Sequence, residues 1–242
     1  MFNDTSMTHD TVAIILAGGS GKRMGNPIPK QLREIKGIPV IVRSLQAFQE
    51  CKEVRSIIVV SREDDIPTIC DLCKTYNISK LKKIVPGGKT RLLSAYMGFE
   101  AIESRENLIA IHDAARCLIT SEQISEIIEK AGAYGAAIAA CSEKDTIKQV
   151  NEKGVIVSTI DRNNIYHAQT PQIFERRVYE NALYKAIKND IEITDDAQMV
   201  ELCGDKVMVV DCGPDNFKIT YESDMIVAEL VLERRQNKES NK

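Results

Sequence analysis

An α/β architecture, with a doubly wound and mostly parallel sheet, is what this sequence predicts, and three observations carry the assignment. The strand candidates are apolar nearly throughout rather than on alternate residues, as happens when both faces of a strand are covered. Segments long enough for helices separate them, which is the pattern of β-α-β crossovers. The 242-residue chain, 43% hydrophobic, can bury one substantial core, and no repeat, low-complexity tract or linker divides it. Residues 1–242 therefore read as one domain, with ends prone to disorder.

The strand candidates are TVAIILA (11–17), SIIVVS (56–61), KKIVP (82–86), NLIAIHD (107–113) and GAAIAACS (135–142). The segment PVIVRSLQAFQEC opens with Pro39 near a helix N-terminus, and TRLLSAYMGFEAIES and TSEQISEIIEKAGAYG repeat the 3.6-residue apolar spacing. The stretch DDIPTICDLCKTYNI reads as a further amphipathic helix. Over residues 143–165 the rhythm changes: TIKQV and VIVSTI alternate in polarity around the turn-like NEKG, a hairpin signal. That hairpin interrupts the β-α-β order, so it is expected to project as an arm and to pair with a second subunit; packing on its own domain is the alternative. Helices near 175–189 and 195–203, a strand KVMVVD and a closing helix from Glu222 complete the order, and the tail RRQNKESNK is expected to fray.

A net charge of −3, from 32 basic and 35 acidic residues that are interspersed, offers no general attraction to nucleic acid or to an anionic membrane. No apolar run approaches the roughly 20 residues needed to span a bilayer, and the polar start MFNDTSMTHD lacks the order of a signal peptide, so the cytoplasm is the expected location. Seven cysteines without framework spacing read as free thiols. The Cys70–Cys73 CxxC has no second pair to complete a zinc site and reads as buried or half-buried thiols.

The loop LAGGSGKRMGNPIPK (16–30) follows the first strand and fails two templates. A P-loop would need Gly at Leu16 and a hydroxyl at Arg23. The dinucleotide fingerprint fails because an extra residue separates Gly21 from Gly25, and the second strand ends in Ser61 and Arg62 rather than in a ribose-binding acid. What the loop does hold is Gly18, Gly19 and Gly21, whose backbone N–H groups can approach phosphate oxygens, with Lys22, Arg23, Lys30 and Arg33 to supply positive charge. A triphosphate cradle is the resulting expectation.

Other motifs sit where ligands of open α/β sheets collect. IAIHDAARC places Asp113 and Arg116 at the C-terminal end of the fourth strand, and the Asp113 carboxylate suits a hard cation such as Mg²⁺. His112, with no second His at ligand spacing, reads as a core histidine. PGGKTRLLS offers Gly87, Gly88 and Ser94 to the edge of a base. Arg162, Thr170 within a QTPQ turn, and Asp215 and Lys218 of DNFKIT would form a second anionic pocket if they converge.

Together LAGGSGKRMG…PKQ, GGKTRLLS, HDAAR, KDTIK, DRNNIYHAQTPQIF, TDDAQMVE and DNFKIT resemble the signature series of the cytidylyltransferases that make CDP-methylerythritol, in order and approximate spacing over residues 11 to 235. That resemblance implies a Rossmann-like sheet of the nucleotidyltransferase type and a homodimer formed through the arm. It also implies a reaction in which the phosphate of 2-C-methyl-D-erythritol 4-phosphate attacks the α-phosphorus of CTP and releases pyrophosphate. By motif, Arg23 and Lys30 would stabilise the α-phosphate, with Lys22 and the glycine backbone around the triphosphate. Asp113 would hold Mg²⁺, with Asp215. Cytosine would sit against Ala17, Gly18, Gly87, Gly88 and Ser94. Arg162, Thr170 and Lys218 would place the acceptor, with Thr146 and Arg116 toward its hydroxyls. Because Arg162 and Thr146 lie on the arm, an exchanged arm would complete the partner's site.

The sequence departs from the family pattern at Cys117, where Pro is common, and at Tyr166, where Trp is common. Its start, LAGGSGKRMGNPIPKQ, is closer to the related ribitol 5-phosphate cytidylyltransferases, which leaves the acceptor open. KDTIK and TDDAQMVE lean toward methylerythritol phosphate. A non-catalytic nucleotide-binding protein on the same fold is a further reading, distinguished by CTP binding without turnover.

Overall fold

A computed structural model of the chain describes residues 9–19 and 29–240. The described chain begins with β1 (Thr11–Leu16), a 3-10 turn at Lys30–Leu32, and a small hairpin of β2 (Glu34–Ile35) and β3 (Ile38–Pro39). Alternation follows in α1 (Val40–Glu50), β4 (Val54–Ser61), α2 (Ile66–Thr75), β5 (Leu81–Pro86), α3 (Arg91–Glu100), β6 (Leu108–Asp113), α4 (Ser121–Tyr134) and β7 (Ala136–Ser142). Then come β8 (Lys148–Val150), β9 (Ile156–Thr159), β10 (Tyr166–Glu175), α5 (Arg176–Lys188), α6 (Asp196–Glu201), β11 (Met208–Asp211) and α7 (Glu222–Ser240).

Seven strands form one sheet in the order β11-β7-β10-β6-β1-β4-β5, parallel except for β10. Alternate residues of β1 feed two cores. Ala13 and Ile15 pack with Leu45 and Phe48 of α1, Ile69 of α2 and Ile124 of α4 on one face. Val12 and Ile14 pack with Phe99 of α3, Tyr179 and Leu183 of α5 and Met199 of α6 on the other. Each such large side chain contributes roughly 1.5–3 kcal/mol by leaving water. This two-faced burial is why the strands are apolar throughout. A third cluster seats α7 through Met225, Ala228 and Val231 on Ile35, Leu118 and Ile219.

The helices start and stop where local chemistry dictates. Thr120 accepts the Gln123 N–H while the Gln123 side chain accepts the Thr120 N–H, a reciprocal cap that opens α4. In α3, Gly98 lies so close to the sheet that a Cβ there would fall 2.5 Å from Ile14 Cγ2 and 2.8 Å from Val60 Cγ2. A side chain at that position would push α3, and the loop before it, off β1 and β4.

Two expectations are corrected. QTPQ is not a turn: it lies inside β10, which runs antiparallel between β6 and β7. Pro171 has no N–H to donate, and the ladder to β7 shifts register between Ala168 and Gln172, so the strand bulges around it. The tail expected to fray at Arg234 is helical to Ser240, because Arg235 Nη1 donates to Leu118 O at 2.8 Å and Arg234 pairs with Asp215.

The hairpin of β8 and β9 is a separate two-stranded sheet. Its turn is closed by Asn151, whose Oδ1 accepts the Lys153 and Val155 N–H groups at 3.0 Å each. Val150, Val155, Ile156 and Val157 are all more than half exposed on it. Among the described residues no helix is long and apolar enough to cross a membrane.

Candidate active site

The parallel strands β5, β4, β1 and β6 stand side by side, so consecutive crossovers run one way from β1 and then the other, and the strand order reverses between β1 and β6. Loops leaving the C-terminal ends of two such strands diverge and open a crevice. Here the two ends are in register, with Leu16 opposite Asp113, and the Ala114 N–H donates to Leu16 O at 3.0 Å. Above them lies a cleft of about 290 Å³ lined by Leu16 to Gly19, Lys30, Gln31, Gly88 to Arg91, Ser94, Asp113 to Ala115 and Lys218.

Eight of the residues singled out by motif thus line one cleft: Ala17, Gly18, Gly19, Lys30, Gly88, Ser94, Asp113 and Lys218. Gly87 stands beside it, its N–H donating to Ser61 O at 2.8 Å. Gly88 turns so tightly into α3 that a Cβ would meet Leu93 Cβ at 2.4 Å. Thr90 caps α3 through the Leu93 N–H, and the first turn of that helix, which borders the cleft, has no acidic residue of its own. Gly21, Lys22 and Arg23 lie outside the described residues.

Asp113 is the electrostatic centre. Burial opposes its charge, but Lys218 Nζ at 2.7 Å from Oδ2, together with Arg91, outweighs burial and holds the carboxyl down to about 2. Lys30 Nζ donates to Ile219 O at 2.9 Å, which ties the opening loop to the segment that carries Lys218. The result is an ionised carboxylate among cations, a setting for phosphates rather than for proton transfer.

His112 is a core histidine, as its isolation in the sequence implied. It is fully buried, its ring lies 5.0 Å from that of Phe48, and desolvation lowers its pKa to about 3. It is neutral at pH 7. Among the described residues no group of three His, Cys, Asp or Glu side chains is placed to hold a metal. Asp113 is the one carboxylate among the described residues that line the cleft, and its Oδ2 is paired with Lys218.

Other expected residues are placed elsewhere. Asp215 pairs with Arg234 of α7 and does not line the cleft, so the structure does not bring it to Asp113 as a second metal ligand. Arg33, counted with the phosphate cradle, is spent on a bidentate pair with Glu222. Arg116 does not line the cleft: Nη1 donates to Asn216 O at 2.9 Å, which anchors the loop that leads to Lys218. Thr170 is buried behind the carboxylate, its Oγ1 accepting the Asp113 N–H at 3.0 Å and meeting His112 Nδ1 at 3.1 Å. Arg162 and Thr146 are exposed at the base of the arm, outside the cleft of their own chain, and the Arg162 guanidinium donates to Lys144 O.

Two residues were missed. Arg91 lines the cleft with Nε 3.8 Å from Asp113 Oδ1 and Nη1 2.5 Å from Asp196 Oδ2, and Asp196 is fully buried. One local signal pointed to them: a cation in the first turn of a helix opposes the helix dipole and needs a carboxylate to hold it there.

Known proteins resemble this chain in sequence and fold. Residues 11–234 match the family described as IspD: 2-C-methyl-D-erythritol 4-phosphate cytidylyltransferase. The chain belongs to that family. It is 39% identical over 233 residues, 96% of its own length and 100% of the relative's, to a protein of Syntrophus aciditrophicus (strain SB) named 2-C-methyl-D-erythritol 4-phosphate cytidylyltransferase. A protein of the same name from Clostridium botulinum (strain Loch Maree / Type A3) is 38% identical, with 91% of this chain and 96% of that one covered. The crystal structure of 4-diphosphocytidyl-2C-methyl-D-erythritol synthase from Anaerococcus prevotii DSM 20548 superposes with a TM-score of 0.83 at 31% identity, covering 93% of this chain and 97% of that one.

Within the cytidylyltransferase family pattern, the two departures of this chain are mild in place. Cys117 is buried beside α7, where a small apolar group fits, and burial pushes its thiol up to about 12. Tyr166 is exposed at the start of β10.

Proposed function

We infer that this chain transfers CMP from CTP to 2-C-methyl-D-erythritol 4-phosphate, forming CDP-methylerythritol and pyrophosphate in isoprenoid precursor synthesis. The observation that carries the reading is the convergence of Lys30, Lys218 and Asp113 with the Gly18, Gly19 and Gly88 backbone in one cleft at the strand-order reversal. Family membership selects methylerythritol phosphate over ribitol phosphate as the acceptor.

The attacking phosphate oxygen is already anionic, so no general base is required, and neutral, buried His112 supplies none. Catalysis rests on alignment and on neutralising charge at the α-phosphorus. Lys30, with Arg23 assigned by motif, stabilises the α-phosphate as charge builds on it. Lys22, Gly19 and Gly21 hold the β- and γ-phosphates. Ala17, Gly18, Gly87, Gly88 and Ser94 receive the cytidine, the small residues allowing close backbone approach. Asp113 would hold a divalent cation, Mg²⁺ by the chemistry of a lone carboxylate beside phosphates. When bound, that ion neutralises phosphate charge and favours pyrophosphate as the leaving group.

The acceptor phosphate is placed by Lys218 and by Arg162, with Thr146 toward its hydroxyls, while Thr170 and Arg116 act from behind by fixing Asp113 and the Lys218 loop. Arg162 and Thr146 lie outside their own chain's cleft, and the apolar arm that carries them is uncovered, which supports a homodimer in which each arm completes the partner's site. The cytoplasm as the place of this reaction is part of the same reading, and CTP as the substrate supports it.

The test is pyrophosphate release measured in parallel with methylerythritol phosphate and ribitol phosphate. Release is expected only with CTP, Mg²⁺ and methylerythritol phosphate together. Equal or greater release with ribitol phosphate, or saturable CTP binding without turnover of either, overturns the reading.

A further inference from the structure

The bulge in β10 is occupied by another part of the chain. The ladder to β7 breaks after Ala168 and resumes at Gln172, where the ladder to β6 also begins, so the backbone of residues 169–171 turns to other partners. Asn216, fully buried in the loop between β11 and α7, fills the gap: its Nδ2 donates to Thr170 O and to Gln169 Oε1, both at 2.9 Å. Gln169 donates in turn to Gly213 O of the same loop at 3.1 Å. The Arg116 guanidinium spans the junction, with Nη1 on Asn216 O at 2.9 Å and Nη2 on Ala168 O at 3.4 Å.

Lys218 follows Asn216 by two residues, and Ile219 after it is again fully buried, with its N–H on Ala115 O at 2.8 Å. Lys218 is thus rooted between two fixed points while its ammonium reaches Asp113 Oδ2 at 2.7 Å. That carboxylate takes one of the three ammonium N–H groups and leaves the others to a phosphate. A lysine stem is long and flexible, so its ammonium is only as well placed as the backbone at its root. Burial of Ile219 seals the loop but is non-directional, whereas the hydrogen bonds of Asn216 fix where along β10 the loop sits.

We propose that Asn216 is a positioning residue: docked in the bulge of β10, it sets Lys218 beside Asp113, where the ammonium receives the acceptor phosphate. This rests on the reading of Lys218 as a residue that places the acceptor, and it gives the bulge and the asparagine of DNFKIT a role. Gln169 supports it by holding both Asn216 and Gly213 of the loop to the same strand.

The test is binding of methylerythritol phosphate to the protein loaded with α,β-methylene-CTP, an analogue that cannot transfer CMP, read by titration calorimetry. Lys218→Ala is expected to weaken acceptor binding by at least about tenfold, the scale of one hydrogen bond to a charged group. Asn216→Leu, close in volume but without the donors, is expected to weaken it by at least about fivefold, most of the same bond. The double variant is expected to bind within about twofold of Lys218→Ala alone, because the asparagine acts through the lysine. A smaller effect in Asn216→Leu, or a double variant weaker than Lys218→Ala by more than that margin, overturns the proposal. Binding of the CTP analogue is expected to stay within about twofold of the parent in each variant, and a loss equal to that of the acceptor overturns the proposal as well. A role limited to stability would lower the melting temperature and leave both dissociation constants in place. If Asn216→Leu does not fold, Asn216→Ser, whose hydroxyl is too short to reach both acceptors, decides by the same comparisons. If Lys218→Ala itself falls short of its expected loss, the reading of Lys218 and the proposal built on it both fall. Loss in Lys218→Ala without loss in Asn216→Leu overturns the proposal alone.

Discussion

Lys218 Nζ lies 2.7 Å from Asp113 Oδ2, joining across the cleft two residues that are 105 positions apart. Asp113 ends β6, and Lys218 is carried by the loop that Arg116 anchors through Asn216 O. The contact closes one side of the cleft, so the residues that frame it are also the ones that hold its geometry.

Thr170 behind this contact is the first point to test. Thr170→Val keeps the shape but leaves the buried Asp113 N–H without its acceptor, at a cost of about 1–3 kcal/mol. Denaturant unfolding should show that loss, and kcat should fall with little change in the KM for CTP, because the carboxylate shifts while the nucleotide loop does not. A variant as stable and as active as the parent would contradict the role.

His112 should make the fold acid-sensitive. Its pKa is lowered in the folded state, from 6.5 to about 3, by burial. The unfolded chain therefore takes up a proton first, and the stability that neutral His112 represents is complete above pH 6.5 and is lost as pH falls toward 3. By pH 5 the loss is about 2 kcal/mol. His112→Gln should remove that part of the slope between pH 7 and pH 5 in chemical denaturation, and an unchanged slope would refute it.

Mixing experiments address the arm. Arg162→Ala and Lys218→Ala are each expected to lose catalysis by orders of magnitude. If Arg162 serves the partner's cleft while Lys218 serves its own, equal mixing with subunit exchange leaves one intact site in each mixed dimer. Activity should then recover to about a quarter of the parent level. No recovery, with exchange verified by sedimentation or mass spectrometry, would place both residues in the same subunit's site.

Thiol labelling addresses the CxxC. Burial pushes Cys73 up to about 11 and Cys212 up to about 12, so neither is a thiolate at pH 8. In the native state Cys73 should react far more slowly with a maleimide than the half-buried Cys70, and the two should not form a disulfide under mild oxidation. Rapid modification of Cys73 would show a redox motif where the fold shows a packed thiol.

Legibility in the sequence followed from how far apart the interacting residues lie. Continuous apolar runs such as SIIVVS and NLIAIHD announced strands covered on both faces, because both cores take side chains from the same strand. Asp113 and the Gly18–Gly19 pair were legible as cleft residues because Asp113 ends a strand and the glycines follow one, and strand ends are where an open sheet binds ligands. β10 was hidden by its own proline, since a strand placed by pairing with β6 and β7 needs no local pattern once the register shift accommodates Pro171.

The chain by itself determined the α/β alternation, the projecting hairpin and the character of the cleft, because strand and helix periodicity and the order of glycines and cations along a loop are local properties. Only the tertiary structure decided which charges reach the cleft. It spends Arg33 on Glu222 and Asp215 on Arg234, and it brings Asp196 to Arg91 and Lys218 to Asp113. Those pairings join residues on separate elements, and a charge takes its partner from whatever packing sets beside it, which spacing along the chain does not record.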